Sequence, residues 1–282
     1  MALSILNNIP SMVAENQINN TQANLQKTLF QLASGSRINS GADDAAGLAI
    51  ADGLHANITA LTQSARNAND GVGQLQVADG ALSQVTSLLN RAVTLATEAA
   101  TGTVTNTQRS ALDAEFSSIK SEIDRIGQNT TFNGTSVFTA STTSVFLSDS
   151  GSTSTIGVTV GQMSQSAIGT GTTAVDLSTD NLLTAGNASS GAQKALIDVN
   201  NAVAQVASVR GVVGASINRL QAASAVMSNQ VQNLSSAEDG IRAADIATAV
   251  ANMSKYNILS QTGMAALAQA NQAQQSVLSL LK

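Results

Sequence analysis

The chain has 282 residues, a net charge of −5, no Cys, no Trp, one Pro, one His and only 2% aromatic residues. Large rings usually dominate core burial, so the 43% of hydrophobic residues must work through Ala, Leu, Val and Ile. Such a chain layers helix on helix better than it fills a thick globular core. The acidic balance, with no basic patch interleaved with aromatics, argues against nucleic acid. No apolar run approaches the roughly 20 residues of a membrane span. Met1 to Pro10 lack a basic start followed by an apolar stretch, so no Sec signal peptide is expected. Without cysteine, stability outside the cell would rest on packing or oligomerisation and not on disulfides.

From Ile18, the residues Leu25, Leu29 and Leu32 recur at helical spacing, and the pattern stops at Ala33-Ser34-Gly35-Ser36. A second helix is predicted from Asp43-Asp44, acidic residues suited to a helix start. One seam then runs Leu61, Ala68, Leu75, Leu82, Leu89, Ala96, with Ile58, Ala65, Val72, Asp79, Thr86, Val93 as its partner seam. That heptad pattern indicates a coiled-coil-like rod, and a helix of about 55 residues would be about 80 Å long. Asp79 and Thr86 are imperfect seam residues, suited to a polar neighbour or to setting register. After a Gly/Thr break at Gly102 to Thr107, Leu112, Phe116, Ile119, Ile123 and Ile126 form another apolar stripe.

From Asn133-Gly134 to about Ser190, Ser, Thr and Gly dominate. Val145-Phe146-Leu147 and Ile156 with Val158 and Val160 read as short strands, and Asn-Gly favours a tight turn. Helical periodicity returns with Val199, Val203, Val206, Val213, Ile217, Leu220, Met227, Val231 and Leu234. A last helix carries Ile246, Val250, Met253, Ile258, Met264 and Leu267, and ends in Val277-Leu278-Ser279-Leu280-Leu281-Lys282. An apolar C-terminal end makes sense when a partner buries it. The fold class is therefore mainly α: a long antiparallel coiled-coil-like helical rod with a small β-hairpin region in the middle.

Five ordered blocks resemble the bacterial flagellins. They are Leu32-Ala33-Ser34-Gly35-Ser36-Arg37-Ile38-Asn39-Ser40-Gly41-Ala42-Asp43-Asp44-Ala45-Ala46-Gly47, then Gln63-Ser64-Ala65-Arg66-Asn67-Ala68-Asn69-Asp70-Gly71. Glu122-Ile123-Asp124-Arg125 with Asn129-Thr130-Thr131-Phe132-Asn133-Gly134 follows, and Asn252-Met253-Ser254-Lys255 and Leu267-Ala268-Gln269-Ala270-Asn271 close the series. The resemblance covers about the first 135 and last 90 residues.

It implies a structural subunit that polymerises into the flagellar filament and is no enzyme, with no cofactor and no metal site. Residues 1–42 and 238–282 would form a discontinuous filament-core domain. Residues 43–237 would form a helical rod domain, with the β region at about 130–190. Arg37, Asp43, Asp44, Leu267, Leu278 and Leu281 would serve assembly. The implied partners are further copies of the chain, an export chaperone at the C-terminal helix, and hook-associated and cap proteins. The chain would be secreted through the flagellar type III apparatus to the extracellular filament. Arg91, Leu95 and Glu115 match positions where immunostimulatory flagellins contact the vertebrate innate receptor, although Val93 and Thr94 stand where such flagellins commonly carry charge. The alternative is a hook–filament junction protein, which typically has a proline-containing version of the Asp-Asp segment. A protease insert would need a His pair, which the single His55 excludes, and a stand-alone adhesin would need a binding head.

Overall fold

A computed structural model describes residues 8–148, 154–169, 174–183 and 191–280, the last without the side chains of 274–280. The elements run α1 (Ile9–Ser34), α2 (Ala45–Ala100), α3 (Asn106–Asn129), β1 (Thr131–Phe132), β2 (Thr135–Ser136), β3 (Thr143–Phe146), β4 (Thr155–Val158), β5 (Gln162–Ser164), β6 (Ala167–Gly169), α4 (Ala192–Arg242) and α5 (Ile246–Leu280). The fold is mainly α with three small antiparallel strand pairs among the described residues. Contacts divide the chain into two compact units, 1–57 with 232–282, and 58–231.

In unit 1, α1 and α5 pair antiparallel. α1 begins nine residues before its first apolar periodic residue, because Asn8 caps it and Pro10 sits in its first turn. Its inner row is Ser11, Ala14, Ile18, Thr21, Leu25, Thr28 and Leu32, a heptad of mostly small residues. The two buried threonines donate to the carbonyls of Gln17 and Asn24, both at 2.8 Å, so their hydroxyls are satisfied inside the pair. The inner row of α5 is Ala249, Met253, Tyr256, Ser260, Gly263, Leu267 and Ala270. A Cβ on Gly263 would lie 2.8 Å from Ile18, so this glycine sets the close approach of the helices. Only some of the expected apolar residues face inward. Leu25, Leu32, Met253 and Leu267 are partly covered, whereas Leu29, Ile246, Val250, Ile258 and Met264 are exposed. The apolar residues expected on α5 thus divide between two faces: a seam of mostly small residues, with Met253 and Leu267, pairs the helices, and the other large ones lie outside.

Unit 2 is built on α2, α3 and α4. The predicted first seam of α2 is buried throughout, from Leu61 to Ala96. The second buried row is Ser64, Gly71, Ala78, Val85, Ala92 and Ala99, and not the row from Ile58 to Val93, of which only Val72 is buried. Small residues mark the side that must approach a neighbour, and they carry little hydropathy signal. A Cβ on Gly71 would stand 3.2 Å from Leu220 of α4 and closer still to Val145 of β3. On the half-covered row, Asp79 receives Arg210 of α4 at 2.8 Å, a cross-helix ion pair that accounts for a carboxylate at this register. Thr86 donates to the carbonyl of Leu82 at 2.8 Å. α4 answers with rows at Ala192, Val199, Val206, Val213, Leu220, Met227 and at Ala195, Ala202, Val209, Ser216.

The turn from α2 to α3 is locked by Arg109, which is buried and donates to the carbonyls of Ala99 and Thr101, both at 2.8 Å. It places a cation on the C-terminus of α2, where the Thr101 amide and hydroxyl also donate to the carbonyls of Glu98 and Thr97. Thr105 and Gln108 form a capping box at the start of α3. Asn133 (φ 50°) and Gly134 (φ 76°) make the two-residue turn between β1 and β2, with Phe132 paired to Thr135, as Asn-Gly favours. β3 and β4 pair Val145 with Ile156, the two apolar runs expected to be strands. The β5–β6 hairpin carries no alternating pattern that would have announced it.

The polar face of α3 holds the following segment by its main chain. Asp113 accepts from the amide of Leu182 (2.7 Å), Asp124 from that of Gln165 (2.6 Å), and buried Lys120 donates to the carbonyl of Asp180 (2.7 Å). The Asp180 carboxylate is itself buried, with Lys194 at 2.5 Å, and burial pushes it above the usual carboxylate range against the pull of Lys194. Lys194 also meets Asp198 at 2.6 Å, and the two carboxylates hold its ammonium charged. Beneath the segment, Gly127 has the Met163 carbonyl where a Cβ would stand. Gly127→Ala therefore displaces β5 and lowers stability by about 1–3 kcal/mol, read as a lower urea midpoint than wild type.

Candidate assembly surfaces

The longest sequence block, Leu32 to Gly47, closes the joint of unit 1. Gly35 ends α1 in the left-handed conformation (φ 68°). The chain then pairs with the α4–α5 connection: Arg37 N donates to the Arg242 carbonyl (2.6 Å), and the Ala244 amide donates to the Gly35 carbonyl (2.9 Å). The Arg37 guanidinium donates to the Ile241 carbonyl (2.8 Å), so this expected assembly residue is engaged within its own chain, at the end of α4. Ile38 beside it is fully buried.

Asp43 and Asp44 divide the work at the start of α2. Asp44 accepts from the Gly47 amide at 2.9 Å as the cap. Asp43 accepts from the amides of Asn39 (3.2 Å) and Ser40 (3.1 Å) and pairs with Lys27 of α1 at 2.7 Å. The Lys27 ammonium and then the Asn39 amide hold the Asp43 carboxyl down at about 2. Across the joint, Asp245 caps α5 through the amides of Ala247 and Thr248 and the Thr248 hydroxyl, which hold it below the usual carboxylate range. His55 lies 3.4 Å from Glu238, and Arg242 from the same Glu238 at 3.3 Å. No group of three or more potential metal ligands occurs among the described residues.

The outer faces of the α1–α5 pair carry the large apolar side chains that the inner seam lacks. On α1 these are Ile9, Met12, Val13, Leu29 and Phe30, the last 71% exposed. On α5 they are Ile246, Val250, Ile258, Leu259 and Met264, with Ile258 61% exposed. A monomer gains nothing from presenting these to water. Among the expected assembly residues, Leu267 lies half-covered on the inner seam, and the side chains of Leu278 and Leu281 lie outside the described residues.

In unit 2, Arg91 of α2 and Glu115 of α3 form a two-pronged pair at 2.7 and 3.0 Å on an exposed face. Each strengthens the other's charge, Glu115 falling below and Arg91 rising above its ordinary value. Leu95 does not join them at the surface. It is 0% exposed and packs in the core, so its side chain offers a partner no contact.

Residues 5–143 match the bacterial flagellin N-terminal helical region, and residues 195–281 match the bacterial flagellin C-terminal helical region. The chain belongs to the bacterial flagellin family. It is similar to the flagellin of Halalkalibacterium halodurans, 36% identical over 99% of each chain. It is 34% identical to the flagellin of Bacillus subtilis, over 99% of this chain and 100% of that one. A flagellar filament 33 kDa core protein of Treponema phagedenis is 33% identical over 99% of each. The crystal structure of Bacillus cereus flagellin aligns with a TM-score of 0.48 and 26% identity, over 61% of this chain and 94% of that one. As a flagellin, the chain is a structural filament subunit of a family that self-polymerises and is not a family of enzymes. No described helix is long and apolar enough to cross a membrane.

The Asp43 geometry gives a pH prediction. A carboxyl held below its unfolded value of 3.8 contributes stability above that value and loses it as pH falls through about 2. Exchange protection at the amides of Asn39 and Ser40, corrected for intrinsic rate, therefore declines between about pH 4 and pH 2. Asp43→Asn removes that pH dependence.

Proposed function

We propose that this flagellin builds its filament through the α1–α5 pair, whose outward apolar rows meet neighbouring copies, while unit 2 forms the rod. The supporting observation is the reversal within the pair: small residues inside, Phe30, Val13, Ile258 and Met264 outside. Repeated contacts of unlike surfaces that do not close on themselves generate a helical filament. The roles of core and rod fall to units 1–57 with 232–282 and 58–231. Secretion to the extracellular filament through the type III apparatus, chaperone binding at α5, and end-to-end contact with hook-associated and cap proteins complete this reading.

Negative-stain microscopy of protein seeded with short filament fragments tests it. Wild type elongates the seeds. Ile258→Lys with Met264→Lys leaves the circular dichroism of the monomer unchanged, since both side chains face solvent, and abolishes elongation. Unimpaired growth by the double variant would contradict the assignment of this face. Wild-type protein that caps hook ends without elongating would favour the junction role instead.

The same chain presents the Arg91–Glu115 pair as a contact for the vertebrate innate receptor, with buried Leu95 supporting α2 from beneath. A bidentate pair holds both groups in one geometry before a partner arrives. Arg91→Ala reduces receptor signalling by monomer at least about tenfold, the loss expected of one charge-assisted hydrogen bond. An unchanged dose response would exclude this pair.

A further inference from the structure

Among the side-chain hydroxyls of α2 and α3, most are occupied. Thr62, Thr86, Thr97, Ser118, Ser121 and others donate to the carbonyl four residues earlier. Between α2 and the β1–β2 turn lies an open groove of about 590 Å³ lined by Asp70, Gln74, Phe132, Asn133, Thr135 and Thr143. None of its five polar side chains makes a hydrogen bond or ion pair among the described residues. Phe132 is one of only five phenylalanines in the chain, and its ring edge would lie 3.7 Å from a Cβ on Gly73. The ring lies beside Gly73 of α2 and remains half-covered at the groove. The turn that follows is fixed by the left-handed Asn133 and Gly134, so the Asn133 side chain is presented on a rigid support.

A ring beside a carboxylate, two carboxamides and two hydroxyls is the donor and acceptor set that a pyranose requires. The C–H face of the sugar covers the ring, and its hydroxyls donate to the carboxylate and both donate to and accept from the amides. The size suits one or two sugar residues. The unpaired Asp70 charge repels an anionic sugar and accepts hydroxyl protons from a neutral one. We propose that this groove is a binding subsite for a neutral pyranose, with Phe132 as the stacking platform and Asp70 as the principal acceptor.

A single open subsite binds weakly. Where copies repeat along a filament, which rests on the assembly reading above, many weak subsites act together and raise retention on a glycan surface by about 10²–10⁴. Monomer binding does not depend on that reading, so the two can fail separately.

Saturation-transfer NMR on the full-length monomer with N-acetylglucosamine, glucose and sialic acid tests the proposal. Transfer to the ring protons of the two neutral sugars and none to sialic acid is expected. Phe132→Leu keeps an apolar side chain over Gly73 and abolishes transfer. Asp70→Asn weakens binding about tenfold, the loss expected when a charged acceptor becomes neutral, with circular dichroism unchanged in both. Absence of transfer from wild type to either neutral sugar, or equal transfer in both variants, would overturn the proposal. In a second arm, filaments are passed over agarose bearing N-acetylglucosamine. Retention lost in Phe132→Leu filaments supports the site. Binding by monomer with none by filament shows that a neighbouring copy fills the groove, and overturns it as a site for an external glycan.

Discussion

Two helices that meet through Ser, Ala, Thr and Gly come close but bury little apolar area for the length they order. Each ordered residue costs about 1–2 kcal/mol of backbone entropy, and burial repays roughly 25 cal/mol per Å² of apolar surface. The α1–α5 seam offers mainly Ile18, Leu25, Leu32, Met253 and Leu267 toward that repayment, while Phe30, Val13, Ile258 and Met264 stay in water. The unit is therefore completed only when something covers its outer faces. Its remaining devices are local ones: the caps of Asn8, Asp44 and Asp245, and the main-chain pairing of Gly35 and Arg37 with the α4–α5 joint. They fix where the helices turn without supplying a core.

Unit 2 solves the opposite problem. Its α2 and α4 rows interleave large and small residues, so Leu75, Leu82, Leu89, Val206, Val213 and Leu220 are buried inside one chain. Thin layers then need anchors at their polar edges. Asp79 with Arg210 joins α2 to α4, Arg109 ties α3 to the end of α2, and Asp113, Lys120 and Asp124 hold the segment after β4 by its main chain. Because these α3 side chains read backbone groups, the segment they hold is free to be rich in Ser, Thr and Gly.

How much of this was written in the sequence follows from range. Leu61 to Ala96 repeats every seven residues and was legible as a seam. Asn133-Gly134 specified its turn through two residues alone. The second α2 row was misassigned because Ser64, Gly71 and Ala78 have no hydropathy to display, and the Ile58–Val93 row has more. On α5 the small inner residues Ala249, Ser260, Gly263 and Ala270 likewise show no hydropathy, whereas Met253 and Leu267 beside them do. Leu95 looked like a surface residue beside Arg91, yet four residues further along the helix it turns inward. The β5–β6 hairpin and the buried pairing of Asp180 with Lys194 depend on contacts across α3 and α4 that no local pattern announces. The family blocks made the filament role legible before the packing that serves it.

In the proposed filament the helix pair of unit 1 is stabilised from outside, by other copies. Hydrogen exchange at the amides of α1 and α5, compared between depolymerised subunits and filaments of the same preparation, tests it most directly. Rapid exchange is expected in the subunit and a slowing by orders of magnitude in the filament, with the core of α2 and α4 within 58–231 protected in both. Equal, strong protection of α1 and α5 in the isolated subunit would contradict it, since the small-residue seam would then suffice alone.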